Sequence, residues 1–166
     1  TKKLKLYFDG SCGPINPGGF MGYGFYVEDE EGTVILEGYD FDPSHPNNTN
    51  NVAEYKALYL GIDKLIDYLD SKKIEDYDLE VLGDSKLVIM QCIGHWGIYE
   101  GYYKETALKT KELLTYIKKP FYRWIPREEP ISNSIIIVDE ASMLTFEIVE
   151  DLRMSSEKNL IIYSGD

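Results

Sequence analysis

The sequence predicts an α/β fold, and two observations support this prediction. Residues 3–12, 19–30 and 33–41 are rich in aromatic and β-branched side chains, and the turn signal Glu-Glu-Gly at residues 30–32 lies between the second and third runs. Apolar residues recur at three- and four-residue spacing over residues 52–69, which predicts a helix. We therefore expect an antiparallel three-stranded meander that is followed by alternating helices and strands.

The later elements follow from the same patterns. Polar residues at 43–51 predict a loop whose Asn side chains cap the helix that comes next. Beyond that helix we expect a strand, two helices and a fifth strand, at residues 78–82, 86–93, 102–117 and 121–125. The fifth strand ends at Pro126 because proline lacks the backbone N–H that a sheet requires.

The composition is that of an ordinary globular domain. The chain has 166 residues, of which 43% are hydrophobic and 28% charged, and no apolar run reaches the roughly 18 residues of a membrane span. The N-terminal residues lead directly into a strand pattern, so we expect neither a signal peptide nor a membrane anchor. The two cysteines, Cys12 and Cys92, do not form a disulfide framework, and a cytoplasmic location is the simplest expectation.

Charge is distributed unevenly along the chain. The formal net charge is −12, which by itself disfavours a nucleic-acid partner. Residues 102–127, however, contain seven basic and two acidic side chains, a local charge of +5. This segment could bind a phosphate backbone, or it could be a solvated helix face followed by a basic turn.

Three acidic residues are predicted to meet at one edge of the sheet. Asp9 closes the first strand, Asp84 follows the fourth strand, and Glu54 lies in the expected first turn of the long helix. Clustered carboxylates repel one another unless a cation lies between them, and hard oxygen ligands suit Mg²⁺ or Mn²⁺. Each acid also has a local alternative, as a turn cap, a helix-dipole partner or a helix N-cap.

Four motifs follow one another along the chain: Asp9-Gly-Ser-Cys-Gly-Pro-Ile-Asn-Pro-Gly-Gly, Thr49-Asn50-Asn51-Val-Ala-Glu54-Tyr-Lys-Ala-Leu, Gly83-Asp84-Ser85-Lys-Leu-Val-Ile and Trp124-Ile-Pro-Arg-Glu-Glu129. In sequence and in order they resemble the motifs of ribonuclease H type 1. The resemblance covers about residues 3–129. The chain resembles the compact subtype of the family, because its sequence has no inserted basic helix.

The resemblance implies a mixed five-stranded sheet flanked by helices on both faces. It also implies hydrolysis of the RNA strand of RNA/DNA hybrids by two metal ions, Mg²⁺ or alternatively Mn²⁺. Asp9, Glu54 and Asp84 would hold the ions, and we expect a monomer. The basic residues after Tyr102 would bind phosphates. The residues implied to contact the hybrid are Gly10, Ser11, Asn16, Asn50, Asn51, Ser85 and Arg127.

The chain departs from this family after Glu129. We expect a ribonuclease H-like domain over residues 1–132 and a βαβ-like or helical extension over residues 133–166 that completes or packs on it. Asp139 is the candidate for the fourth catalytic and metal-binding acid, and Glu128 or Glu129 could replace it.

The extension also has a resemblance of its own. Ile135-Ile-Ile-Val-Asp-Glu-Ala-Ser-Met-Leu144 and Leu160-Ile-Ile-Tyr-Ser-Gly-Asp166 are similar to the Mg²⁺-binding strand and the next strand of superfamily 1 helicases. The chain has no G-x-x-x-x-G-K-[ST] phosphate loop. Two alternatives therefore stay open beside the nuclease: a binding module whose site lacks its fourth acid, and a nuclease fused to a helicase fragment. Double-stranded RNA also stays open as a substrate.

Overall fold

A mixed five-stranded sheet lies at the centre of the computed structural model, which describes residues 1–127. The strands are β1 (Lys2–Gly13), β2 (Phe20–Glu28), β3 (Val34–Asp42), β4 (Tyr77–Gly83) and β5 (Phe121–Trp124). The helices are α1 (Asn50–Lys72), α2 (Lys86–Ile93) and α3 (Lys104–Leu114). The predicted α/β fold and its order of elements are confirmed. The predicted boundary at residue 132 and the extension over residues 133–166 lie outside the described residues.

The strand order is β3-β2-β1-β4-β5. The meander pairs antiparallel, whereas β4 pairs parallel to both β1 and β5. In the β1–β4 pair, Phe8 lies opposite Gly83. An ideal Cβ on Gly83 would lie 2.6 Å from Cε1 of Phe8, so a glycine at this position makes room for the ring. The parallel pairing therefore places Asp9, the residue after Phe8, beside Asp84, the residue after Gly83, at the carboxyl end of β4.

The first long helix is longer than its apolar periodicity predicts. It begins at Asn50 because the hydroxyl of Thr49 accepts the backbone N–H of Val52 at 3.1 Å and caps the first turn. The expectation that an Asn side chain provides this cap is therefore wrong. The helix ends where Lys73 adopts a left-handed conformation, with φ of 56°. None of the described helices is long and apolar enough to cross a bilayer.

One face of the sheet carries the main core. Alternate residues of β1 and β2 point toward α1, and they include Leu6 and Phe25, which are 0% and 2% exposed. Side chains of α2 and α3, among them Ile89 and Ala107, join the same core. Within residues 1–127, all three helices therefore contribute to the core on this face.

The opposite face carries a smaller apolar cluster. Tyr7 and Tyr26 stack there with ring centroids 4.7 Å apart, and Leu82 completes the buried part of the cluster. Val34 and Ile125 pack against them at the margin. No helical residue of the described chain belongs to this cluster. The expectation of helices on both faces of the sheet therefore depends on residues that lie beyond 127.

Gly10 allows α1 to approach β1 closely. An ideal Cβ at this position would lie 2.3 Å from the carbonyl oxygen of Ala53 and 2.8 Å from the backbone nitrogen of Glu54. Both atoms belong to the backbone of α1, so no side-chain rotation could relieve the contact. The glycine therefore sets the distance between the end of β1 and the helix.

We expect Gly10→Ala to destabilise the protein by about 2–3 kcal/mol, because the helix must move away from the strand to accommodate a methyl group. Chemical denaturation would measure the loss. Gly13→Ala is the matched control in the same strand, since a Cβ there meets nothing within 4 Å. Equal stabilities of the two variants would show that the close approach is not a constraint.

Candidate metal centre

The two aspartates of the predicted cluster lie side by side at the edge of the sheet. Asp9 lies within β1, which continues to Gly13, so the expectation that Asp9 closes the first strand is wrong. Asp84 follows β4 directly, as predicted. Phe8 and Gly83 are partners in the parallel register, and each is followed by an aspartate, so Asp9 and Asp84 are neighbours. The side chains of Asp9 and Asp84 are only 4% and 8% exposed. The sheet therefore holds two carboxylates next to each other with little access to water.

Glu54 joins the aspartates from α1. Its Oε1 accepts the backbone N–H of Gly10 at 3.0 Å, and Oδ1 of Asp9 accepts the same N–H at 2.8 Å. One backbone donor is thus shared by two carboxylates. The expectation that Glu54 lies in the first turn of the helix is wrong, because α1 begins at Asn50 and its first turn contains no acid. Glu54 occupies the second turn, where the helix dipole has little effect.

The three carboxylates form one compact group. One oxygen atom from each of Asp9, Glu54 and Asp84 lies within 4.8 Å of the others. Burial raises the pKa of Asp9 and of Glu54 well above the ordinary value, and repulsion from the neighbouring carboxylates raises both pKa values further. Burial also raises the pKa of Asp84, although Arg127 opposes this shift. The cluster therefore favours a positive charge, whether protons or a cation provide it.

Arg127 reaches into the cluster. Its Nη2 donates to Oδ2 of Asp9 at 3.3 Å and lies 2.5 Å from Oδ2 of Asp84. The contact with Asp84 is an ion pair without hydrogen-bond alignment, and this buried oxygen accepts no hydrogen bond from the described residues. The sequence predicts Arg127 as a substrate-binding residue, whereas the structure places it between two of the three acids.

Trp124 supports the loop that carries Asp84. Its indole N–H donates to the backbone carbonyl of Asp84 at 3.2 Å, and Nζ of Lys86 lies 4.9 Å from the centroid of the Trp124 ring. Sequence reasoning missed this positioning role. The available signal is that β5 ends in a tryptophan beside β4, since adjacent parallel strands bring their last residues together.

The other predicted contact residues lie near the start of α1, with one exception. Oδ1 of Asn50 accepts the backbone N–H of Cys12 at 2.7 Å and lies 3.5 Å from Oγ of Ser11. The backbone N–H of Asn50 donates to Oδ1 of Asn16 at 3.2 Å, and Asn51 is exposed. Ser85 instead caps α2 by accepting the backbone N–H of Val88 at 3.2 Å. The structure thus brings the asparagines and Ser11 into one polar surface beside the acids.

The basic segment at residues 102–127 is largely engaged within the protein. Lys104 and Lys109 each pair with a glutamate four residues earlier in the sequence, and Arg123 pairs with Glu80. Six of its seven basic side chains contact an acidic side chain or a backbone carbonyl of the described chain: Lys104, Lys109, Lys111, Lys118, Arg123 and Arg127. Exposed pairs of this kind are weak, so a polyanion could exchange with them. Asp139, Glu128 and Glu129 lie outside the described residues.

Comparisons with known proteins identify the class. No protein-family model matches the chain. The curated relatives include the bifunctional protein Rv2228c of Mycobacterium tuberculosis, 28% identical over 75% of this chain and 32% of the relative, and ribonuclease HI of Halobacterium salinarum, 31% identical over 68% of this chain and 51% of the relative. The chain thus spans about a third of the length of the first relative and about half of the length of the second.

Solved structures agree with the curated relatives. The structure of LC11-RNase H1, isolated from compost by a metagenomic approach, matches with a TM-score of 0.66 at 30% identity, over 75% of this chain and 85% of that protein. The same protein in complex with an RNA/DNA hybrid matches with a TM-score of 0.65. The N-terminal RNase H domain of Rv2228c matches with a TM-score of 0.63 at 30% identity, over 76% of this chain and 84% of that chain.

The sheet order, the position of the three acids and the similarity to these solved structures define an α/β domain with the ribonuclease H fold. The chain is 30% identical to LC11-RNase H1 over 85% of that protein, which is enough to assign a family. The chain belongs to the ribonuclease H1 family of enzymes. The helicase resemblance of residues 135–166 stays a prediction.

The raised pKa values predict how stability depends on pH in the presence of a chelator. A carboxyl whose pKa is raised by folding stabilises the protein below its ordinary pKa and loses that contribution as pH rises through the raised pKa. We therefore expect Asp9→Asn to be more stable than the natural chain at pH 7, by on the order of 1 kcal/mol or more, since the amide has no charge to bury.

Thermal denaturation in chelator between pH 4 and pH 8 would measure this difference. The advantage of Asp9→Asn should shrink as pH falls toward the ordinary pKa of an aspartate. Asp78→Asn is the control, because Asp78 lies at the opposite end of the same sheet with its side chain 51% exposed. A natural chain that is more stable than Asp9→Asn at pH 7 would contradict the raised pKa.

Proposed function

We propose that this chain is a metal-dependent endoribonuclease that hydrolyses the RNA strand of RNA/DNA hybrids. The observation that carries the proposal is the buried cluster of Asp9, Glu54 and Asp84 in a member of the ribonuclease H1 family. One solved relative, LC11-RNase H1, forms a complex with an RNA/DNA hybrid. Because the chain spans only part of its curated relatives, this activity is proposed for the domain itself.

The chemistry of the donor atoms fits a hard divalent cation. All three ligand atoms are carboxylate oxygens, which Mg²⁺ and Mn²⁺ prefer, and Oδ2 of Asp84 is a buried oxygen that already pairs with a cation, the guanidinium of Arg127. We propose that Asp9 contributes to two ion positions, with Asp84 at one and Glu54 at the other. Two bound ions would stabilise the attacking and the leaving oxygen of a phosphodiester.

The protein's own contribution is to position these ligands. The parallel register of β1 and β4 holds the two aspartates, and the Gly10 N–H orients the carboxylates of both Asp9 and Glu54. Because the carboxylates of Asp9 and Glu54 are buried and hydrogen-bonded, they would need little rearrangement to bind ions at the position of a substrate phosphate. The products would be fragments with 5′-phosphate and 3′-hydroxyl ends.

The polar surface beside the acids suits an RNA strand. We propose that Asn16, Asn50 and Asn51 contact the hybrid through its minor groove, where the 2′-hydroxyl distinguishes RNA from DNA. Asn16 and Asn50 are already linked to each other by a hydrogen bond, and Asn50 is linked to β1. A preformed surface of this kind reads shape and backbone, so we expect little sequence preference and a strong dependence on salt.

We further propose that residues 133–166 pack on the domain and bring Asp139 to the cluster as a fourth ligand. The support is the second apolar cluster of Tyr7, Tyr26 and Leu82, which lies on the face of β1 from which Asp9 also projects. The apolar runs at residues 134–138 and 159–163 could cover such a face. Packing there would lead the chain past the edge that carries the acids.

Cleavage of an end-labelled RNA/DNA hybrid tests the proposed activity. The natural chain should cut the RNA strand in Mg²⁺, and Asp84→Asn should lower the rate at least about a hundredfold because one charged ligand is lost. Asp78→Asn is again the control, since it removes the same charge from the far end of β4. Mn²⁺ and a double-stranded RNA substrate would be tested in parallel.

The Asp139→Asn variant in the same cleavage assay tests whether Asp139 is the fourth ligand. Loss of cleavage in this variant would support Asp139 as the fourth ligand, and full activity would assign that role elsewhere. If the natural chain binds the hybrid but cuts nothing in either metal, the nuclease proposal fails and the chain is a hybrid-binding module. Cleavage of double-stranded RNA alone would change the substrate and leave the metal site standing.

Hydrogen exchange on the full chain tests the packing of the extension. If residues 133–166 pack on the sheet, the amides of residues 134–138 should exchange far more slowly than those of an unfolded chain, because packing excludes water from them. Mass spectrometry of peptides from the extension would measure their exchange, with peptides from β5 as the protected reference. Exchange of the extension at the rate of an unfolded chain would contradict the proposal.

A further inference from the structure

The inference concerns the guanidinium group that lies among the acids. Nη2 of Arg127 is within 3.3 Å of Oδ2 of Asp9 and within 2.5 Å of Oδ2 of Asp84. Both aspartates are ligands of the metal site that we propose, so the inference rests on that proposed function. An arginine carries a permanent positive charge and only hydrogen-bond donors. It therefore provides these carboxylates with the same kind of charge as a metal ion.

We propose that Arg127 is an exchangeable counter-cation of the site, which competes with a divalent ion for Asp9 and Asp84. The two cations would approach the same oxygen atoms, and two positive charges so close together repel each other. Binding of an ion to these oxygens therefore requires the guanidinium to withdraw.

The surroundings show which partner can move. The carboxylates of Asp9 and Asp84 are 4% and 8% exposed and belong to the sheet, whereas the Arg127 side chain is 41% exposed. Arg127 follows Pro126, beyond the last residue of β5. The preceding backbone is fixed, since the N–H of Ile125 donates to the carbonyl of Gly83 at 2.8 Å. The side chain can thus swing outward while its backbone stays beside the site.

The exchange has a consequence for the order of binding. A guanidinium displaced by an ion would remain close to the cluster with its donors free for a phosphate. Binding of the ion would then have two effects. It would neutralise the carboxylates of Asp9 and Asp84, and it would free the guanidinium of Arg127 to bind a phosphate. The same competition weakens the binding of the ion. The apparent dissociation constant equals the intrinsic constant divided by the fraction of molecules in which Arg127 has withdrawn.

Binding of Mn²⁺ in the absence of nucleic acid tests the competition. Free Mn²⁺ would be counted by its paramagnetic resonance signal for the natural chain, Arg127→Gln and Arg123→Gln. Arg127→Gln should bind the ion about tenfold more tightly, the factor expected if the guanidinium occupies the carboxylates in about nine molecules of ten. Arg123→Gln is the matched control, because it removes an equal charge that pairs with Glu80. Its affinity should change by less than about twofold.

A second measurement uses the natural chain alone. A dicarbonyl reagent that modifies arginine should react faster with Arg127 when Mg²⁺ is added, while the rate at Arg123 should not change. Mass spectrometry of the two peptides would follow both residues in one sample. This readout does not depend on the folding of a variant, so it decides the question even if Arg127→Gln fails to fold.

The outcomes separate the inference from the function on which it rests. Tighter Mn²⁺ binding by Arg127→Gln, or faster modification of Arg127 with Mg²⁺, would support the competition. Equal affinities of the natural chain and Arg127→Gln, together with an unchanged rate of modification, would overturn the competition and leave the metal site intact. Failure of all three proteins to bind Mn²⁺ would overturn the metal site itself, and the competition with it.

Discussion

The packing of three carboxylates within 4.8 Å of one another is the constraint on which the rest of the structure depends. Burial and mutual repulsion both oppose this arrangement, as the raised pKa values of Asp9 and Glu54 indicate, and burial also raises the pKa of Asp84. A flexible loop would relax by moving the charges apart. Here the carboxylates are attached to two adjacent parallel strands and to a helix of 23 residues, so the core must yield before they can separate.

The scaffold holds the acids through few polar contacts. The Gly10 N–H donates to the carboxylates of Asp9 and Glu54, and the Arg127 guanidinium contacts those of Asp9 and Asp84. Most of the restraint is steric and apolar, from the contact of Gly10 with the α1 backbone and from the core beneath the sheet. A site built in this way stays negative and rigid, which favours the binding of a cation over rearrangement of its ligands.

Sequence reasoning predicted the elements well because their signals are local. Alternation in the strands and helical periodicity in α1 depend on neighbours a few residues away. The start of α1 was missed because polar Asn50 and Asn51 lie outside the apolar pattern, while Thr49 provides the cap. That error also placed Glu54 one helical turn too early. The Arg127–Asp9 contact spans 118 residues of sequence, and nothing local to either residue indicates it.

The charge of the protein bears on how such a site could act on a polyanion. The net charge is −12, and six of the seven basic residues in the segment 102–127 already contact groups of the described chain. Long-range attraction for a phosphate backbone is therefore weak in the protein itself. Divalent ions bound at the acids would reverse the charge where a phosphate must approach, and Arg127 would add one more positive group. On this argument, ions held by the cluster would do more than take part in the reaction, because they would turn a group of three carboxylates into a point where a phosphodiester can bind.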